Sequence, residues 1–174
     1  AYGVISIVSL TRGAQEAVVI GNLNVANQVT EQIDLYVVGS VKILKAVAAD
    51  LQQTRLERWQ QDRILKNFVL QFPEFTELTV LDESGAPVVS SRIGPSTVSV
   101  PGSDGVNVEG ALMSGFTVDD DLLPAAIVAI RLGNVPNGGW LVGRLNLEEL
   151  WRMVDRIRVG EQGVAMLLGA RGQL

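Results

Sequence analysis

Apolar residues recur at steps of three and four over the first third of the chain, at Val25, Val29, Ile33, Tyr36, Val37, Ile43, Leu44, Val47 and Leu51. On a helix these positions form one stripe, with Glu31, Asp34, Lys42, Lys45 and Asp50 mostly off it. The pattern predicts an amphipathic helix over 14–53 whose stripe faces a core. At ~1.5 Å per residue such a helix is ~60 Å long, so part of it is expected to project or to pair with a second copy. A second helix is predicted from Leu56 to Val69. The earlier run Val4, Ile5, Ile7, Val8 and Leu10 is ended by Arg12 and Glu16, short of the ~18 apolar residues of a membrane span. It reads either as the end of a transmembrane helix or as the start of the long helix.

The punctuation changes at Pro73. All six prolines lie between Pro73 and Pro136, and fourteen of the eighteen glycines follow Pro73. Proline breaks helical hydrogen bonding, so this part is expected to hold short strands joined by turns. Glu77–Asp82 reads as a strand, 83–87 as its turn and Val88–Ser91 as the returning arm of a hairpin. Gly94 to Gly105 reads as a loop, Ala111–Val118 as a third strand, Ala125–Leu132 as a fourth and Trp140–Leu145 as a fifth. Asn146 is placed to cap a closing helix from Leu147 to Arg158, with Glu148 and Glu149 in its first turn. Val164–Leu168 starts another strand. The layout is α+β with one antiparallel sheet.

Composition narrows the chemistry. The 174 residues contain no cysteine and no histidine, which removes Cys/His zinc sites, thiol chemistry, Ser-His-Asp triads and His-ligated haem. A formal charge of −5 gives nucleic acid no electrostatic footprint. No phosphate-binding glycine loop is present, and Glu109 and the Asp119 cluster lack a catalytic partner. No enzyme activity and no cofactor are expected.

Three stretches carry a family resemblance: Phe72-Pro73-Glu74-Phe75-Thr76-Glu77-Leu78-Thr79-Val80-Leu81-Asp82-Glu83-Ser84-Gly85; Pro124–Leu132 followed by Gly139–Leu150; and Gly160–Leu168 with Gly172. Together they resemble the Cache family, the PAS-like extracytoplasmic sensor modules of bacterial transmembrane receptors. The resemblance implies a long N-terminal stalk or dimer helix over 1–55, packed on a PAS-like antiparallel sheet of about five strands with a closing helix. The sheet lies in a sensor module over 56–158, the membrane-distal one of a double-Cache domain. Residues 159–174 are then the start of a membrane-proximal module or a truncated tail. It further implies a periplasmic or extracellular location, a homodimer through the first helix, and attachment to the membrane by segments outside this chain. The signalling domain (histidine kinase, diguanylate cyclase or chemoreceptor) would also lie outside it.

Amino-acid-binding members of that family carry Arg-x-Trp-Tyr before the third strand, Tyr-x-Asp at its end and an aspartate on the fifth. Here Ser103–Gly110 has neither arginine nor aromatic, Thr117-Val118-Asp119 keeps only the aspartate, and Arg144 stands where the last aspartate is expected. An arginine there repels an ammonium group, which disfavours an ordinary amino acid. Arg131 and Arg144 interrupt apolar strands and are placed to share one face, where guanidinium forks suit a small carboxylate. The alternative is that both face solvent or pair with Asp119, Asp120 or Asp121. Arg92, Ser114 and Asp119 complete the candidate ligand set, although Ser114 also suits a backbone contact. Asp119–Asp121 lacks the spacing of a calcium loop and reads as an exposed turn, so no metal is expected. Trp59 and Trp140 read as packing residues, and Trp151 with Leu147, Leu150 and Val154 as the buried face of the closing helix. The rival function is a dimerisation or spacer module without a ligand.

Overall fold

The computed structural model describes residues 4–8, 15–53, 55–118, 122–135, 137–155, 158–159 and 163–168. The elements are β1 (Val4–Val8), α1 (Gln15–Gln53), α2 (Arg58–Gln71), β2 (Phe75–Leu81), β3 (Pro87–Ser90), β4 (Val106–Val108) and β5 (Ala111–Met113). They continue with β6 (Thr117–Val118), β7 (Pro124–Arg131), β8 (Trp140–Asn146), α3 (Glu148–Asp155), β9 (Arg158–Val159) and β10 (Gly163–Leu168). Among the described residues no helix is long and apolar enough to cross a membrane.

The chain divides into two compact units, Val38–Leu147 and the combination of Ala1–Val37 with Glu148–Leu174. The second unit holds a three-stranded antiparallel sheet in the order β1-β10-β9, with Val4 opposite Leu168 and Val8 opposite Val164. Val4-Ile5-Ser6-Ile7-Val8 is thus a strand, neither the end nor the start of a helix. Its β-branched side chains favour a pleated, paired backbone.

The unit Val38–Leu147 is built on an antiparallel sheet of order β3-β2-β8-β7-β5-β4, with β6 also paired to β7. Seven strands replace the five expected, for two local reasons. Ser114 and the residues after it interrupt the third strand, leaving β5 and β6 as separate pieces. The loop before it ends in β4, which turns into β5 through Glu109 and Gly110, at φ 52° and 85°. Two successive positive φ values make the tight turn whose twist matches a hairpin.

Register assigns the faces. Leu78, Val80, Leu141, Gly143, Leu145, Ala126, Val128 and Ile130 share one face through the pairs Leu78↔Gly143, Val80↔Leu141, Ala126↔Leu145 and Ile130↔Leu141. These side chains are buried, as are Val41, Leu44, Val47, Ala48 and Leu51 of the α1 stripe. Gln52 ties the helix end to the sheet by accepting the Gly133 N–H at 3.0 Å. Phe75 lies so close to β8 that a Cβ on Gly143 would sit 2.8 Å from its ring.

The helix stripe agrees with its sequence pattern: Val29, Ile33 and Val37 are also buried, while Glu31, Lys42, Lys45 and Asp50 are exposed. Three tryptophan expectations divide. Trp140 is half-buried and packs on the core. Trp59 is 63% exposed and Trp151 44% exposed, so neither is buried packing, whereas Leu147 and Leu150 are buried; the side chain of Val154 lies outside the described residues. Asn146 closes β8, its N–H donating to Glu74 O at 2.7 Å, and the helix begins two residues later.

Candidate functional site

The sheet's other face is where the charged strand residues gather. Its rows follow from the register: Glu77, Arg144 and Ile127 in one, with Ser114 hydrogen-bonded beyond Ile127; Ser90, Thr79, Val142, Ala129 and Leu112 in the next; Leu81, Trp140 and Arg131 in the third. The segment 91–105 crosses this face. Val98 is buried in a cluster with Leu81, Ala129 and Val142, against which Val100, Ile127 and Trp140 also pack.

Glu77 is 1% exposed, and it is satisfied by hydroxyls and amides. Its carboxylate accepts from Thr79 Oγ1 at 3.0 Å, Ser96 Oγ at 2.7 Å and Thr97 Oγ1 at 2.6 Å. The Thr97 N–H is shared between the two oxygens at 3.1 and 3.3 Å. Burial alone would raise the pKa of this carboxyl, but the donors of Thr97, Ser96 and Thr79 outweigh it and hold it below the ordinary value. The sequence signal was the polar alternation Glu77, Thr79 inside an apolar strand, followed by a Ser/Thr-rich loop. That loop turns back onto the strand.

The five residues singled out from sequence fall into different settings. Arg131 and Arg144 do project to the same face, but four residues apart along it, ~13 Å at strand spacing. Arg131 sits at the exposed end of β7, paired with Glu83 and stacked over Trp140 with its guanidinium carbon 5.1 Å from the ring centre. Arg144 is half-buried in mid-strand. Ser114 lies beside Ile127, whose N–H donates to its hydroxyl at 2.9 Å, while that hydroxyl donates to Gly115 O at 2.8 Å. Its hydrogen is thereby committed to the backbone. Arg92 is exposed just past the hairpin. Asp119 lies outside the described residues, with Asp120 and Asp121. Among the described residues no three acidic side chains converge where a metal ion would sit.

No known family pattern matches the sequence, and no curated protein matches it. The fold, in contrast, is shared with solved receptor domains. The ligand-binding domain of the amino acid chemoreceptor PctC of Pseudomonas aeruginosa PAO1, in complex with GABA, superposes with a TM-score of 0.58 at 15% identity, over 79% of this chain and 62% of that one. The ligand-binding domain of the Pseudomonas fluorescens chemoreceptor CtaA with L-isoleucine gives 0.60 at 12% identity, over 83% of this chain and 63% of that one. An extracellular ligand-binding receptor from Desulfohalobium retbaense gives 0.57 at 13% identity, over 83% of this chain and 28% of that one. The chain therefore spans less than two thirds of each of these neighbours. All three are ligand-binding domains or receptors by name, and what they share with this chain is the fold.

Proposed function

We propose that this chain is an extracytoplasmic ligand-sensing domain of a bacterial signal-transduction receptor, and that its ligand is a small organic anion. The observation that supports it is the second face of the sheet, where Arg144 lies half-buried in mid-strand between Glu77 and Ile127, on a fold shared with chemoreceptor ligand-binding domains. A guanidinium in that setting matches a carboxylate by two parallel hydrogen bonds. The neighbours' ligands, GABA and isoleucine, also carry an amine, which calls for a carboxylate in the site. Glu77 spends both oxygens on its own hydroxyl cage. We therefore assign Arg144 as the anchor, and Arg131, Asp119, Ser114 and Arg92, the other candidates from the sequence, are substituted in parallel with it.

In this reading ligand binding shifts the sheet against α1, with the Gln52–Gly133 hydrogen bond as one link between them. Such a shift needs a ligand with different affinities for the two arrangements. The long helix pairs with that of a second copy and leads toward the membrane, and a kinase, cyclase or chemoreceptor signalling domain elsewhere in the receptor reads the change. Residues 56–158 form the sensor module, the stalk helix α1 lies within 1–55 before it, and a second module begins at 159. The separate β1-β10-β9 sheet supports a second structural unit.

A spacer without ligand is the second reading, favoured by Val98 and Val100 filling part of the same face. A thermal-shift screen of carboxylates, amino acids, amines and sugars separates the two. A ligand at a hundred times its Kd adds ~2.7 kcal/mol, which raises the melting temperature of a domain this size by roughly 5–10 °C. Stabilisation by carboxylates that is lost in Arg144→Ala supports the anion site. Stabilisation by amines alone transfers the site to Asp119, and no stabilisation by any class favours the spacer.

A further inference from the structure

We propose that Glu77 is a positioning residue that latches the segment 95–101 onto the sheet, so that Val98 occupies, as a removable plug, the floor on which the apolar part of a ligand rests. The inference builds on the ligand-sensing reading and specifies how its site is closed. Among the described residues, every hydrogen bond that ties 95–101 to the sheet ends on Glu77 or on Thr79 beside it. Thr79 in turn shares a 2.8 Å hydrogen bond with Ser90, so the latch is anchored across β2 and β3. One carboxylate and the hydroxyl beside it thus carry the polar attachment of a whole crossing segment.

The segment's ends are built to give. Gly94, at φ 107°, has open space where a Cβ would stand, and Ile93 before it is 96% exposed. Only glycine adopts that φ freely. At the other end Pro101 leads into Gly102 and the turn closed by the Gly105 N–H on Gly102 O at 3.0 Å. Between these ends Val98 inserts among Leu81, Ala129 and Val142, with Ile127 and Trp140 at the margin. Arg144 is the register partner of Ile127 and lies one row from Val142 on the same face. Withdrawing Val98 uncovers an apolar floor with a guanidinium at its edge. That surface takes a carboxylate with a short branched aliphatic tail, in which the tail replaces the valine side chain.

Two measurements on the same protein test this. Hydrogen exchange of the ligand-free domain compares wild type with Glu77→Gln and with Thr97→Val, the second removing one hydroxyl while keeping the buried charge. In both, exchange at Thr97 and Val98 is expected to accelerate at least tenfold more than exchange at Val128 and Val142, which follows only the global loss of stability. Calorimetric titration then compares acetate with isovalerate. Both latch variants and Val98→Ala are expected to bind isovalerate at least tenfold more tightly relative to acetate than wild type does. Unchanged exchange, or acceleration spread evenly over the sheet, overturns the latch. Carboxylate binding with no dependence on the tail in any variant overturns the plug. Failure of wild type and all variants to bind either acid, with exchange still faster at 97 and 98, overturns the ligand-sensing reading and leaves the latch standing.

Discussion

At the scale of single residues, Glu77 sets the acid behaviour of the protein. Its carboxylate is held below the usual pKa despite burial, because hydroxyl and amide donors favour the charged form. A group depressed in the folded state contributes its full stabilisation above the unfolded value, about 4.3 for glutamate, and loses it as pH falls through the folded value. Stability is therefore expected to hold at neutral pH and to fall as the pH drops through and below the unfolded value, where this carboxyl takes up its proton. Asp82, lowered by Ser84 and Ala86 within its turn, adds to the same acid limb. Glu77→Gln is expected to cost roughly 1–3 kcal/mol at pH 7 in urea unfolding and to make the acid limb shallower. An unchanged acid limb in that variant would contradict this assignment. The shared face of Arg131 and Arg144 was legible from strand alternation alone. The role of Glu77 was not, because a charged strand residue reads as outward until the loop that buries it is seen. The Glu83 partner of Arg131, distant in sequence, was hidden for the same reason.

At the scale of elements, the long helix, the second helix, the first hairpin and the two late strands follow from period and punctuation, within a few residues of their observed ends. The misses have local causes. The β4–β5 turn uses Glu109 where Asn-Gly or Asp-Gly is the readable signal. Trp151 lies beside the buried Leu150 on a helix, and adjacent helical positions point in different directions. Strand β1 finds its partner at the far end of the sequence, which periodicity cannot show. Close packing between β2 and β8 yields a further prediction. Gly143→Ala places a methyl against the Phe75 ring and Leu78, both buried, and is expected to destabilise by about 1–3 kcal/mol. Denaturant midpoints read this, and pairing it with Phe75→Leu is expected to recover part of the loss. Equal losses with and without the smaller partner would point to backbone strain instead.

At the scale of the whole molecule, the reading requires a helix that pairs and a face that binds. Leu35 on α1 is 73% exposed, an apolar position that a second copy would cover. Sedimentation is expected to show a dimer that Leu35→Asp weakens by about tenfold, the order expected from losing one buried aliphatic contact. A dimer indifferent to this change would move the interface elsewhere. The binding face is the central claim, and amide spectra of the domain titrated with acetate, isovalerate, GABA and an aliphatic amine test it most directly. Carboxylates are predicted to perturb Ile127, Val142, Arg144 and residues 96–98 together, and the perturbation is predicted to vanish in Arg144→Ala. Perturbation elsewhere, or none with any carboxylate, would contradict the assignment of this face as a ligand site.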